Sequence, residues 1–380
     1  MALDRCFNIS DLRSLAKKKL PKMVFDYIDG AADDEITLRE NVSRFADYKL
    51  VWKTLVDVSE INTKSRLMGA KTDLPFVISP TAATRLFHPR QGERAVARAS
   101  HKAGMIYSIS TLGSVSIEEI GEICPGPKWF QVYVWRDKAL VETILERIKA
   151  AGFTGLILTV DMPVAGWRER DPRNDFEIPP KVTHRNAWQA LQRPGYLWDL
   201  ATTPKIGPAN FPDPGAQGGL MGFVNSQFDR SVTWDYAKWL KEAWGGPLAI
   251  KGISRPDDAR RVIDCGADTV WVSNHGGRQL DTAPATIDTL PGIVEAVGGD
   301  AEIIFDGGIR RGTDIIKALA LGATGVAIGR AYLFGVAAGG EAGVSKAISL
   351  LRDELERAMA LLGAPSIDAV REVDVWRPNT

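Results

Sequence analysis

The stretch "DGGIRRG" at residues 306–312, read with "IGRAYLFG" at 328–335, decides the architecture. Each continues a short apolar run, "EIIF" (302–305) in one case and "GVA" (325–327) in the other. Each places glycine amides and arginines where a strand hands over to a helix, a combination suited to phosphate. In closed (β/α)₈ barrels the loops after strands seven and eight often bind phosphate. An open doubly wound sheet would instead open its first βα unit with GxGxxG, and no such run is present.

Counting outward from these two units gives the other six. The runs "FVISP" (76–80), "MIYSIS" (105–110), "WFQVYV" (129–134), "GLILTVD" (155–161), "LAIKG" (248–252) and "TVWVSN" (269–274) are short, β-rich and apolar on both faces. That is the pattern of buried parallel strands. Helical stretches lie between them, as at 91–103, 137–150, 256–265 and 311–321. Four of these end alike, at Ala103-Gly104, Ala151-Gly152, Cys265-Gly266-Ala267 and Leu321-Gly322-Ala323, where glycine permits a left-handed stop. The expected class is α/β, a (β/α)₈ TIM barrel within one domain spanning 1–380. Residues 1–75 form an N-terminal helical extension, helical in "ISDLRSLAKKKL" and "DDEITLRENVSRF"; 76–335 form the barrel and 336–380 a C-terminal helical segment.

A long excursion, about 181–230, follows strand four. It holds Pro194, Pro204, Pro208, Pro212 and Pro214 with "GAQGG", and the apolar residues Trp188, Tyr196, Leu197, Trp198, Phe211, Leu220 and Phe223. It reads either as a lid folded on the barrel or as a surface for a membrane or redox partner.

Lys plus Arg equal Asp plus Glu, so the net charge is zero, which argues against nucleic-acid binding through bulk positive charge. Cys6, Cys124 and Cys265 are odd in number and far apart. They give neither a metal spacing nor a disulfide framework, which points to a cytoplasmic setting and no metal. The first residues, "MALDRCFNISDLRSLAKKKL", have no apolar signal core, and no apolar run reaches the roughly 18 residues of a spanning helix.

The strand ends concentrate polar groups. Ser110 and Thr111 end the second strand, Gln131 and Tyr133 the third, and Thr159-Val160-Asp161 the fourth. Lys251 ends the fifth, His275 and Arg278 follow the sixth, Asp306 to Arg310 the seventh, and Gly329-Arg330 the eighth. In a barrel these ends share one face. His275 suits a general base because imidazole titrates near neutrality, and Asp161 suits its orienting partner. His88, His101 and His184 fall in a loop, a helix and the excursion, and read as surface or capping residues. Lys251 lies in an apolar strand and needs a negative partner, either a structural carboxylate or an anionic reduced cofactor. Arg278 and Arg168 are candidate carboxylate clamps, though "GWRERD" (166–171) also reads as a solvated charge run.

With these residues assembled, the chain resembles the FMN-dependent L-2-hydroxy-acid oxidising family, which includes glycolate oxidase, bacterial L-lactate dehydrogenase and mandelate dehydrogenase. "SNHGGRQLD" (273–281) and "DGGIRRGTD" (306–314) carry the likeness, which runs from "LPKMVFDYIDGAADDE" (20–35) to "RAYLFGVAAGGEAGV" (330–344). The resemblance implies FMN. It implies flavin contacts from Pro80, Thr81 and Ala82 in "SPTAA", and from Ser110, Gln131, Thr159, Lys251 and Ser273. Asp306, Gly307, Gly308, Arg310, Gly329 and Arg330 match its ribityl and phosphate site. Tyr27, Tyr133, Arg168, His275 and Arg278 match its substrate site, with Asp161 paired to His275.

The implied reaction oxidises an L-2-hydroxy acid to the 2-oxo acid. Family members with large aryl substrates tend to carry glycine where this chain has Ala82, and Leu112 stands where glycolate oxidases carry tryptophan. L-lactate or a slightly longer acid is therefore expected, with a mandelate-type substrate open because "GWRERD" looks like the mandelate enzyme's segment. "RPGYLWDL" (193–200) is similar in placement to the membrane-facing segment of quinone-linked members. This implies a quinone-type acceptor and peripheral contact with the inner face of the cell membrane. An oxidase releasing hydrogen peroxide is the nearest alternative; a non-redox isomerase and a non-catalytic flavin-binding barrel stand further off. Family likeness also implies a homotetramer.

Overall fold

Eight parallel strands close on themselves in chain order. They are β1 (Phe76–Ile78), β2 (Tyr107–Ser110), β3 (Lys128–Tyr133), β4 (Gly155–Thr159), β5 (Leu248–Ile253), β6 (Thr269–Val272), β7 (Glu302–Asp306) and β8 (Gly325–Ile328). Closure is made by β8 against β1, with Val326 opposite Phe76 and Ile328 opposite Ile78. The fold is thus a (β/α)₈ barrel and not an open sheet. This computed structural model describes residues 2–178, 180, 183–184, 186–211 and 229–377. Pro212, Pro214, "GAQGG", Leu220 and Phe223 of the excursion lie outside the described residues.

Alternating strand side chains separate two apolar layers. Val77, Trp129, Ile157, Ala249, Trp271, Ile304 and Ala327 point inward and cluster with Ile106, just ahead of β2. Leu67 and Met68 join them from a hairpin, Ser65–Leu67 paired with Ala70–Thr72, that plugs the end where the strands start. The Met68 amide donates to Glu302 at the first position of β7, 2.7 Å away. Gly155 makes room for the Trp129 indole, since a Cβ there would lie 2.6 Å from its ring. The outward side chains, such as Phe76, Ile78, Phe130, Val270 and Phe305, pack with the helices in the larger core.

Three helices precede the barrel: α1 (Ile9–Lys19), α2 (Lys22–Asp29) and α3 (Ile36–Ser43). In α1 the buried Ile9, Leu12, Leu15 and Ala16 follow helical spacing, and the Asn8 side chain caps the Asp11 amide. The barrel helices are α4 (Glu93–Lys102), α5 (Ile117–Ile123) and α6 (Lys138–Ala150) in the first half. After β4 come α7 (Arg170–Arg173), α8 (Ala187–Leu191), α9 (Pro194–Ala201) and α10 (Trp234–Trp244). Then follow α11 (Pro256–Asp264), α12 (Thr286–Val297), α13 (Gly312–Ala320) and α14 (Arg330–Leu362). The glycine stops at 104, 152, 266 and 322 all have positive φ. Helix α14 runs across residue 335 and bends at Gly339–Gly340, where Gly340 has φ +56°. The short pair Lys49–Leu50 with Val375–Trp376 ties the two ends of the chain together.

Candidate active site

Most polar groups of "SNHGGRQLD" have a defined partner; Gln279 Nε2 has none among the described residues. The Ser273 hydroxyl donates to Asp306 Oδ1 at 2.6 Å and accepts from Lys251 Nζ at 2.8 Å and from the His275 amide at 3.1 Å. Asn274 exchanges two 2.9 Å hydrogen bonds with Asn41 of α3. The carbonyl of Gly276 accepts from Arg330 at 2.9 Å, and that of Gly277 from the Ala32 amide at 2.9 Å. Gln279 Oε1 accepts from the Gly166 amide at 3.0 Å, and Asp281 accepts from the Ile36 and Thr37 amides at 3.2 and 2.9 Å. The loop is therefore a rigid junction between β6 and the N-terminal extension.

His275 Nδ1 lies 2.9 Å from Asp161 Oδ1. Burial pulls the imidazole below its ordinary value, Asp161 opposes this, and Lys251 and Arg278 add to it. His275 is thus neutral at neutral pH and able to accept a proton. Burial pushes Asp161 up, but His275 and Lys251 outweigh it, so the carboxyl lies below its ordinary value and stays ionised. The ion partner of Lys251 is Asp306, 3.4 Å away, so the buried ammonium has a structural carboxylate.

Arg278 is held by the carbonyls of Tyr27 and Gly30 at 2.7 and 3.1 Å, with its guanidinium 4.9 Å from the Tyr27 ring centre. Burial and the neighbouring Arg168 pull it down to about 10. Arg168 Nε has no hydrogen-bond partner among the described residues, and its nearest carboxylate, Asp171, is 4.0 Å away. Two arginines thus face one space with little compensating charge, which favours an entering carboxylate. Burial keeps the Tyr133 phenol protonated.

Burial likewise pulls Arg310 down to about 10 and Arg330 to about 9, in the second case with help from Arg278 and Arg310. Arg330, expected at the phosphate site, lines the cleft. Its guanidinium is taken up by the carbonyls of Ile28, Gly30 and Gly276 at 2.9, 2.7 and 2.9 Å. What remains at that corner is the start of α14 behind Gly329, and a Cβ on Gly329 would meet nothing within 4 Å. Gly307 and Gly308 have φ of +114° and +87°, and a Cβ on Gly308 would fall 1.8 Å from the Asn41 carbonyl.

One cleft, about 1360 Å³ with its open mouth, is lined by Tyr27, Pro80, Thr81, Ala82, Tyr133, Arg168, Lys251, His275, Arg278, Asp306 to Arg310, Gly329 and Arg330. Ser110, Gln131, Thr159 and Ser273 are buried behind that wall: Ser110 is opposite Gln131, Tyr133 opposite Thr159 and Thr159 opposite Lys251 in strand register, and Ser273 bonds to Lys251 and Asp306. Phe87, Leu112, Met162, Ala165 and Ile178 also line the cleft. Of these, sequence reasoning singled out Leu112 alone; the rest are apolar loop residues with no polar signal. It also missed Arg85, whose guanidinium donates to the carbonyls of Pro89 and Pro204 at 3.0 and 2.6 Å and fastens the excursion to the first βα loop. His88 is half-buried: burial lowers its pKa, and it packs beside Gly340 at the bend in α14.

The donor set fits FMN. Among the described residues Gln131 Nε2 is buried without a partner, Arg168 Nε likewise, and the cleft gathers cations in excess of carboxylates at the arginine end. An acceptor-rich ring edge and a phosphate answer both conditions.

Comparison with known proteins agrees. A family model described as FMN-dependent dehydrogenase matches residues 16–377. An L-lactate oxidase of Nostoc sp. is 45% identical over 373 residues, 97% of this chain and 98% of the relative. Glycolate oxidase 3 of Oryza sativa is 42% identical over 95% of this chain and 93% of its own length. The crystal structure of the monotopic membrane protein (S)-mandelate dehydrogenase superposes with a TM-score of 0.93 at 36% identity, covering 98% of this chain and all of that one.

Proposed function

Since the chain belongs to the FMN-dependent dehydrogenase family, we propose that it oxidises an L-2-hydroxy acid, L-lactate or a slightly longer aliphatic acid, and passes the electrons to a quinone-type acceptor. The observation that carries this reading is the meeting of the His275–Asp161 pair with the under-compensated Arg278 and Arg168 in one cleft. Arg278 and Arg168 take the carboxylate, and Tyr27, packed on Arg278, and Tyr133 flank it. Holding the acid in one orientation lowers the barrier. His275, through the nitrogen turned from Asp161, takes the proton the acid releases. Asp161 keeps the tautomer and stabilises the imidazolium. Pro80 to Ala82, Ser110, Gln131, Thr159, Lys251, Ser273, Asp306 to Gly308, Arg310, and Gly329 and Arg330 at the start of α14 would hold FMN, which would supply two-electron acceptance and re-oxidation. Ala82 and Leu112 shape the space for the acid's substituent.

The membrane contact rests on α8 and α9, where Trp188, Leu191 and Trp198 are 71%, 63% and 67% exposed. Among the described residues no helix is long and apolar enough to cross a membrane. By likeness to the family, the proposed contact is peripheral, at the inner face of the cell membrane, and the proposed assembly is a homotetramer.

A second reading, an oxidase releasing hydrogen peroxide, draws on the 45% identity to an L-lactate oxidase. A mandelate-type substrate draws on the match to (S)-mandelate dehydrogenase. Anaerobic mixing of the FMN-loaded protein with L-lactate, D-lactate, glycolate and L-mandelate ranks the substrates by loss of flavin absorbance. Fastest bleaching by L-lactate with reduction of a soluble quinone is expected. Rapid peroxide release in air without quinone reduction would replace the acceptor, and faster bleaching by mandelate would replace the substrate.

A further inference from the structure

The turn Tyr27–Gly30 does more than present a tyrosine. Its carbonyls hold two arginines of the cleft: Tyr27 and Gly30 accept from Arg278, and Ile28 and Gly30 accept from Arg330. The aim of Arg278 therefore depends on where this turn lies. The turn is the end of α2, and the α2 carboxylates Asp26 and Asp29 face Arg170 across the gap to α7, at 3.6 and 3.3 Å. On the far side of the turn, Glu35 Oε1 accepts from the Ala31 amide at 3.0 Å while its Oε2 accepts from Arg170 at 2.5 Å. Gly30 is pressed beneath the same side chain, and a Cβ there would lie 2.9 Å from Arg170 Cδ.

Arg170 opens α7 and stands two residues after Arg168. Asn174, just past the end of α7, donates to both Asp26 and the Arg170 carbonyl at 2.8 Å. One guanidinium thus joins the segment that carries Tyr27 and steadies Arg278 to the segment that carries Arg168. A planar fork with five donors can span Asp29 and Glu35 together, whereas an ammonium, a compact point charge with three donors, holds the two less well. We propose that Arg170 is a positioning residue, a latch that sets the spacing of the carboxylate clamp formed by Arg278, Arg168 and Tyr27. This rests on the hydroxy-acid reading above.

The latch is separable from the fold. Arg170 is about one-third exposed, and Arg13 to Asp29, Lys22 to Asp26 and Asn174 to Asp26 remain to hold α2 when it is removed. Partly exposed ion pairs contribute little to global stability.

The test uses the FMN-loaded protein as wild type, Arg170→Leu, Arg170→Lys and Glu35→Gln. The probe is oxalate, which presents the oxygens of a deprotonated 2-hydroxy acid; its Kd is read from perturbation of the flavin spectrum, beside KM and kcat for the best hydroxy acid, FMN content and Tm. For Arg170→Leu we expect the oxalate Kd and KM to rise about tenfold and kcat to fall by less than about threefold, with FMN content held. Arg170→Lys recovers part of the loss, and Glu35→Gln moves oxalate affinity in the same direction by less. Wild-type oxalate affinity in Arg170→Leu overturns the proposal, as does a loss confined to FMN content and Tm. If Arg170→Leu does not fold, unchanged oxalate affinity in Glu35→Gln overturns it. A wild-type protein that neither responds to oxalate nor bleaches with any hydroxy acid removes the functional reading itself, before any variant is compared.

Discussion

His275 has φ +56°, a left-handed backbone conformation that a residue with a Cβ seldom adopts. The strain is held by the bonds to Ser273 and Asp161. His275→Ala is expected to keep FMN and to lose turnover by about 10³-fold or more, read as kcat with bound flavin measured in parallel. A fully active His275→Ala would leave the base unassigned. The pH dependence has a defined sign. The base works deprotonated and burial lowers its pKa, so the acid limb of kcat/KM lies below pH 6.5 and the profile is flat from there to neutrality. Asp161 is what raises His275 against that burial. Asp161→Asn therefore moves the limb to still lower pH while its plateau drops about 10²- to 10⁴-fold. A limb moving upward in pH would contradict this. The identities of these two residues were readable from their places at strand ends. The left-handed turn was not, because one of the two bonds that hold it comes from Asp161, 114 positions away.

Helix α3 docks on the site through one residue: the Asn41 side chain bonds to that of Asn274, and the Asn41 backbone carbonyl sits where a Cβ on Gly308 would go. Gly308→Ala combines that clash with an unfavourable φ of +87°. It is expected to destabilise the protein by about 3 kcal/mol and to lower FMN content, read by denaturant unfolding and by absorbance. The eight strands and their following helices were legible because buried parallel strands show unbroken apolar runs and their helices stop at glycine. Helix α2 was not. Asp26 and Asp29 interrupt its apolar pattern, and they are buried only because Arg13 and Arg170 arrive from elsewhere in the chain. The hairpin 65–72 was missed for a related reason, since its short strands earn no local pattern and become apolar core only by filling the barrel floor.

For the molecule as a whole, two surfaces of opposite kind invite measurement. Inside, Trp271 is fully buried, packs edge-on with Trp129 at 6.3 Å and donates to Asp306 at 3.0 Å. Trp271→Ala is expected to cost about 4 kcal/mol, visible as a lowered unfolding midpoint. Outside, Trp188 and Trp198 stand exposed on short helices. Replacing both with serine is expected to reduce sedimentation with lipid vesicles about tenfold or more, while turnover with a soluble acceptor stays unchanged. Equal vesicle binding by both proteins would assign those helices to a lid instead. At this scale the sequence showed which residues gather at one mouth of the barrel but not which of them clamp the chain together. Arg330 reaches back across three hundred positions to fasten Ile28 and Gly30. A nascent chain leaving the ribosome therefore owns no finished cleft until its last strand and the first turn beyond it have emerged. Colour should arrive at the end of synthesis, and products cut short before that arginine should stay colourless.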